Sequence, residues 1–409
     1  MAVPGDIAFN TFTIGSLDLL NPAQATFNYL DIYEDILRPI FVAEVEVLDY
    51  NDVLGTYMIN GKEDVNLSFN VPGADSVNFA FSLMQNKHLD DKTQQNSGSL
   101  KYKTYKLRMV SKDILNNQST HLAKSFNQPT HLTVQQSLQT ISNAQINVPD
   151  PTKGNQRLVA NYTKVYDFLN SIHDRHVSSQ YNSSLYTLFA ARNGGTENRT
   201  FCTFEYLMNQ SSVFNFKQDP SIGTRTTTES DSMNNMLWFK APDSFNTPVV
   251  YNAPSNKHVY NALVGKSSST NVPASSINNP LGQSITDSLI SEPNSSKTPP
   301  KRSTHVDASL DVSATGIATA KVNRANFIKD LSQNSAKFEI NGNPNISVGQ
   351  VVTLNIPKKA DADQSSGENQ MNDKVLITKI RHKIMPASVK PRYTMIVEAI
   401  KAGFYQPVN

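Results

Sequence analysis

The two ends of this chain alternate apolar and polar residues with a period of two, and its middle does not. Near the start the pattern runs through FVAEVEVLDY (41–50), VNLSFNV (65–71), SVNFAFSLM (76–84) and KYKTYKLRMV (101–110). Near the end it recurs in SAKFEI (335–340), ISVGQVVTLNIP (346–357), KVLITKIRHKI (374–384) and RYTMIVEAI (392–400). Successive side chains of a strand point to opposite faces, so such alternation makes half-buried strands and fixes their register. Short strands at close spacing predict a small antiparallel β-barrel at each end. Gly55–Ile59 and Lys62–Phe69, joined by Asn60-Gly61, read as a hairpin, because Asn-Gly accepts the positive φ of a type I′ turn. Asn341-Gly342 reads as the turn after the segment 322–340.

Between the two ends the period changes. TVQQSLQTI (133–141) sets Val134, Leu138 and Ile141 on one helical stripe. YTKVYDFLNSIHDRHV (162–177) does the same with Val165, Phe168, Leu169 and Ile172. SLYTLFAAR (184–192) and NRTFCTFEYL (198–207) flank Asn193-Gly194-Gly195 and predict a hairpin, so this part is α+β. LWFK (237–240) and VVYNAP (249–254) are short apolar islands. Residues 266–303 are rich in Ser, Asn and Pro and predict a long polar loop. A weak helix is expected from Ala314 to about Ser335, carrying Val322, Ala325, Ile328 and Leu331. Residues 358–373 predict an exposed loop.

The fold class expected is therefore mixed β and α+β, with two small antiparallel β-barrel domains flanking an α+β insert. The expected divisions are 1–37, an arm or a peripheral strand; 38–128, the first barrel; 129–225, the insert; 226–313, an irregular connection; and 314–409, a helix with the second barrel. In the second barrel Val351, Val352, Leu354, Ile377 and Ile380 are the expected core.

Composition bounds the function. The 409 residues carry a net charge of +2, too small for a strong nucleic-acid footprint. The lone cysteine, Cys202, excludes an intramolecular disulfide framework and reads as a buried thiol. No apolar run is long enough for a membrane helix, and no secretory signal is visible at the start. Sequons such as Asn161-Tyr162-Thr163 and Asn198-Arg199-Thr200 are expected by chance in so Asn- and Thr-rich a chain.

No catalytic, metal or cofactor centre is expected. His173 and His176 have a chelating spacing but no further ligand, so an exposed helix terminus is the simpler reading. The loop from Asp361 to Glu368 fails the calcium-loop pattern at its Gly and Glu positions. The carboxylate pairs Glu34/Asp35 and Glu44/Glu46 could serve acid–base hydrolysis, but Glu44 and Glu46 alternate with apolar valines and fall on a strand's outer face. Two basic strand faces stand out: Lys106 and Arg108 on one strand, Lys379 and Arg381 on another. They are expected to contact neighbouring subunits or line a lumen, against the alternative of a solvated face.

The order of elements, from barrel through THLTVQQSLQTI, YTKVYDFLNSI and the 184–207 hairpin to NFIKDLSQNSAKFEINGNPNISVGQVVTLNI and KVLITKIRHKI, resembles the baseplate hub proteins of contractile-tailed bacteriophages. It is also similar to the barrel modules of type VI secretion spike proteins. That resemblance implies a structural, non-enzymatic virion protein of the tail baseplate, assembled in the host cytoplasm. It implies a homotrimeric ring adapting a sixfold tail tube to a threefold central spike. Its partners would be the tube or tube-initiator protein, the spike, surrounding baseplate proteins and the tape measure, with DNA only in transit and no membrane insertion. A tail-associated carbohydrate-binding or peptidoglycan-degrading protein is the alternative.

Overall fold

The computed structural model describes residues 5–23, 25–57, 59, 61, 63–72, 76–92, 102–172, 176–181, 183–193, 196–218, 232–240, 255–261, 266–272, 302–307, 324, 334–356, 373–386 and 391–401. Its first part contains β1 (Ala8–Ile14), β2 (Leu17–Asp18), β3 (Thr26–Asp35), β4 (Val42–Asp49), α1 (Val53–Tyr57), β5 (Asp64–Asn70), β6 (Val77–Lys92), β7 (Tyr102–Ser111) and α2 (Asp113–Ser119). The middle contains β8 (His121–Gln128), α3 (Thr130–Leu138), β9 (Gln145–Asn147), β10 (Gln156–Lys164), α4 (Val165–Ile172), β11 (Tyr186–Asn193), β12 (Thr196–Thr203), α5 (Phe204–Met208), β13 (Asn215–Gln218) and β14 (Ser232–Lys240). Then come β15 (Ser255–Asn261), β16 (Lys266–Val272), β17 (Arg302–Asp307), β18 (Asn334–Asn341), β19 (Val351–Asn355), β20 (Asp373–Met385) and β21 (Arg392–Lys401).

The fold is β-rich with few, short helices, and its alternating segments are strands as read from the sequence. Their arrangement differs from two separate antiparallel barrels. One thirteen-stranded sheet runs β19-β13-β14-β18-β21-β20-β3-β4-β7-β6-β5-β1-β2. The join is the β3–β20 ladder, which pairs Asp35 with Lys379 and continues to Leu30 with Ile384. A single apolar core accordingly extends from Phe12, Leu67 and Phe81 to Phe338, Val352 and Val397. Period two dictates a strand and its buried face, but not which strand lies beside it, so the join could not be read locally.

At the C-terminal end β19 pairs with both β13 and β20, so the pairing returns on itself there. Both pairings of β13 are parallel, a departure from the all-antiparallel expectation. At the other end, among the described residues, β2 pairs only with β1. Residues 1–37 are not an arm, because β3 sits centrally in the sheet.

The expected hairpin at 55–69 does not form. Asp49 accepts backbone N–H groups from Asn51, Val53 and Leu54 at 3.2, 3.0 and 2.8 Å. This caps the turn of α1 where a strand was expected. β5 pairs instead with β1 and β6. Nor does Asn341-Gly342 turn a hairpin, since β18 pairs with β14 and β21. Gly342 is required by packing: a Cβ there would lie 1.9 Å from the Tyr393 ring.

The middle region is α+β as expected. Val134, Leu138, Val165, Phe168, Leu169 and Ile172 bury their stripes in a second core. β11 and β12 form the predicted hairpin. Among the described residues β8 pairs only with β10, so it belongs to this unit and not to the first barrel's expected span. The segment 162–177 starts helix only at Val165, because Tyr162–Lys164 finish β10. Within the expected polar loop, β16 and the start of β17 are strands flanking β15. The 249–254 island, most of the 314–335 helix and nearly all of the 358–373 loop lie outside the described residues.

Candidate functional site

The ladder between β3 and β20 carries two chemically different faces. Facing inward are Leu30, Ile32 and Glu34 of β3, with Ile380, His382 and Ile384 of β20, all buried. Facing outward are Tyr29, Asp31, Tyr33 and Asp35, opposite Lys379, Arg381 and Lys383.

Glu34 is a carboxylate among aliphatics, 2 % exposed, and such a group is tolerated only when its oxygens are satisfied. His382 Nε2 lies 3.0 Å from Glu34 Oε1. Ser347 Oγ and the Val348 backbone N–H donate to Oε2 at 2.9 and 3.1 Å. His382 Nδ1 lies 2.7 Å from the Tyr393 hydroxyl. The imidazole thus bridges the Glu34 carboxylate and the Tyr393 hydroxyl, one ring nitrogen to each, and the network closes. Burial alone would push the Glu34 carboxyl up; the hydrogen bonds from His382, Val348 and Ser347 outweigh it and hold the carboxyl below its ordinary value.

The insert reaches the same point. The Arg192 backbone N–H donates to Ser347 Oγ at 3.1 Å, and its guanidinium lies 4.3 Å from the Phe79 ring centroid. Nearby, Ala190 N–H donates to the Arg38 carbonyl at 3.1 Å and the Thr187 hydroxyl to the Ile36 carbonyl. Gly349, at φ +83°, fits where a Cβ would meet the Phe189 ring at 2.6 Å. Both β modules and the insert thus converge on one buried carboxylate.

Two further buried polar knots hold the insert together. Arg199, 1 % exposed, pairs with Asp113 at 2.5 Å and Glu197 at 2.6 Å. Asp150 accepts from the Ser178 hydroxyl at 2.6 Å and from Thr203, while Thr203 Oγ1 also caps α5 through Tyr206 N–H. Beside them, burial pushes the Glu205 carboxyl up to about 7, with Asp150 adding to the rise and Ser183 opposing it. Burial also pushes up the Cys202 thiol, which is fully buried as expected.

The four basic residues singled out from the sequence fall on the outer face. Lys106 pairs with Glu44 at 2.8 Å, Arg381 with Asp31 at 2.7 Å, and Lys379 with Glu398 at 3.6 Å. Arg108 is exposed, opposite Glu44 in the β4–β7 register. Lys337 continues the pattern by pairing with Glu398 at 2.9 Å. The face is a band of alternating charge, largely satisfied within the chain. The core residues Val351, Val352, Leu354, Ile377 and Ile380 are all at most 1 % exposed. Ile377 follows the core because the register shifts between Ile377 and Lys379. The bulge at Thr378 lets Ile377 and Ile380 share one face, opposite the buried Ala399 and Val397.

Among the described residues no cluster of His, Cys, Asp or Glu could hold a metal ion. His176 does not sit on an exposed helix end: it is buried against Tyr186 and Phe201 at 4.5 and 5.3 Å. His173 lies outside the described residues. Glu34 and His382, a pair 348 positions apart, were not foreseen as partners. The usable signal was a histidine on the apolar face of β20.

No protein-family model and no curated protein matches the sequence. Solved structures do. The 43 kDa tail protein of prophage MuSo2 from Shewanella oneidensis superposes with a TM-score of 0.53 at 10% identity, over 97% of this chain and 98% of that one. A tail protein from Neisseria meningitidis MC58 gives 0.56 at 9% identity, over 97% of both chains. Over nearly its whole length, the chain has the tail-protein fold that its order of elements resembles.

Proposed function

We propose that this chain is a structural hub of a phage tail baseplate. It would form a homotrimeric ring that adapts a sixfold tail tube to a threefold central spike. The observation that carries this reading is the continuous sheet through β3 and β20, which places two β modules side by side in each chain. Copies related by a threefold axis then present the module six times, about the minimum needed to match a sixfold tube. The full-length likeness to tail proteins supports the reading at the level of fold.

Two surfaces suit ring assembly. β1 has no ladder partner over Ala8–Thr11 on its outer edge among the described residues, an edge that a neighbouring subunit's strand would cover. The alternating band around Lys106, Arg108, Lys379 and Arg381 would face a neighbour or the lumen. Most of its charges are paired within the chain, so it would hold passing DNA weakly and let it slide. The tube or its initiator, the spike, other baseplate proteins and the tape measure are the partners of such a ring, in the virion tail.

Light scattering of the purified chain at micromolar concentration tests the reading. A mass near three chains, with an annulus in negative stain, is expected; a monomer that stays monomeric with tube and spike proteins present refutes it. Reversing Lys106, Arg108, Lys379 and Arg381 to Glu tests the band. Lys106–Glu44 and Lys379–Glu398 are surface pairs worth about 0–1 kcal/mol each, whereas Asp31 is buried beneath Arg381. The assembly readout is therefore taken with a melt that shows the variant folded and with a second variant that leaves Arg381 in place; ring assembly should fail in both. Unchanged assembly at physiological salt removes the band from the interface.

A further inference from the structure

β8 and β10 form a two-stranded ribbon with no third strand among the described residues. Its inner face, with Leu122, Phe126, Leu158 and Ala160, packs on α3 and α4. Its outer face carries Ala123, Ser125 and Asn127 beside Arg157, Val159 and Asn161, all exposed. At one end the register shifts between Asn161 and Thr163. The bulged residue, Tyr162, has φ +49° and is 71% exposed. A bulky L residue rarely adopts that conformation, and this one gains no burial from it. What the conformation achieves is display. The Tyr162 ring stands in solvent, stacked flat on His121 at 4.6 Å and 9°.

Charge on the face is one-sided. Neither HLAKSFNQ nor QRLVANYTK contains an acidic residue. Arg157 lies at one end of the outer face, opposite Asn127, and Lys164 at the other, opposite His121. The span between them is roughly 20 Å at the rise of a strand, the length of several sugar units. Between them Ser125 and Asn161 alternate with Val159 and Ala123.

We propose that this outer face binds an anionic polysaccharide. The ring of Tyr162 would serve as the stacking platform, and Arg157 and Lys164 as counter-charges. The C–H face of a sugar ring is slightly positive and suits the negative face of an aromatic ring. Asn161, Ser125 and Asn127 offer donors and acceptors to hydroxyls, and the cations select carboxylated units. A single-stranded nucleic acid is the competing occupant, but it calls for successive stacking platforms and a continuous basic groove, and this face has one stack and two separated cations.

Native affinity electrophoresis of the full chain tests the proposal, in gels cast with polygalacturonate, with neutral dextran or with neither. Retardation by polygalacturonate alone is expected. Tyr162→Gly relaxes the backbone and removes the ring, so it should fold with an undiminished Tm yet bind about tenfold more weakly. Tyr162→Phe should bind as the parent does, and Arg157→Ala with Lys164→Ala should abolish the preference for polygalacturonate. Three results would overturn the proposal: no retardation, equal retardation of the parent and Tyr162→Gly, or tyrosine-dependent binding of oligothymidylate without binding of polygalacturonate. The readout is independent of ring formation, so its failure leaves the hub reading untouched.

Discussion

Replacing Glu205 by glutamine should stabilise this protein at alkaline pH. Glu205 lies on α5, buried beside Asp150 and Ser183, and its carboxyl is pushed up to about 7 from an ordinary 4.5. In the unfolded chain it ionises near its ordinary value. Between those limits the folded state binds a proton that the unfolded state has lost. Stability therefore falls as pH rises from 4.5 through 7 and levels off above. The displacement of about 2.5 pH units corresponds to roughly 3 kcal/mol at 1.36 kcal/mol per unit. Glu205→Gln keeps the size and the Ser183 contact but cannot ionise. The variant should match the parent near pH 4.5 and exceed it by up to about 3 kcal/mol at pH 8. Urea titrations of both proteins at pH 5 and pH 8 measure this directly. The double difference cancels Glu34, whose lowered value acts in the opposite sense. A parent–variant difference that is identical at the two pH values would show that Glu205 is not held protonated by burial, and would refute the reasoning.

Other perturbations probe the junction and the core. His382→Ala should cost about 3–5 kcal/mol, since Glu34 keeps its burial and loses its strongest partner; a denaturation midpoint equal to the parent's would contradict that. Because the Glu34 carboxyl is held low, its contribution is fully present above pH 4.5 and is lost as pH falls through its lowered value, so Glu34→Gln should flatten the acid limb of the stability profile. Val352→Asp should cost several kcal/mol by burying an unpaired charge, and a parental Tm would refute its placement. Gly342→Ala places a methyl 1.9 Å from the Tyr393 ring; overpacking of this kind costs about 1–3 kcal/mol, measurable by the same melts.

The Glu34 junction shows how far local reading goes. KVLITKIRHKI reads as a strand from its alternation, whereas TFNYLDIYED, within the expected arm or peripheral strand, becomes a central strand in the fold, and Glu34 and His382 lie on the apolar faces of the two. Taken alone, each is an anomaly: a carboxylate and an imidazole aimed into a core. Only adjacency of the strands turns them into a satisfied pair. Strand adjacency depends on which edges meet, and period two is silent on that. The same limit explains β13, whose four residues, NFKQ, pair in parallel with strands far along the chain.

α1 was misread for a different reason. Asn60-Gly61 is a strong turn signal, and Gly61 does take φ +83°, but the carboxylate of Asp49 claims the preceding N–H groups first. Such competition between a side chain and a ladder is settled by geometry that a residue pattern does not encode.

The sequence by itself determined β4 to β7 and β18 to β21, the apolar stripes of α3 and α4, the β11–β12 hairpin and the burial of Val351, Val352, Leu354 and Ile380. Each follows from hydrophobic periodicity, which acts over a few residues. The tertiary structure alone decided that β3 and β20 fuse the two ends into one sheet, that Glu34 and His382 meet there, and that the basic residues Lys106, Lys379 and Arg381 are already paired within the chain. These depend on contacts between residues distant in sequence, where the cost of burying a charge or leaving an edge open selects one arrangement among many that share the same local pattern.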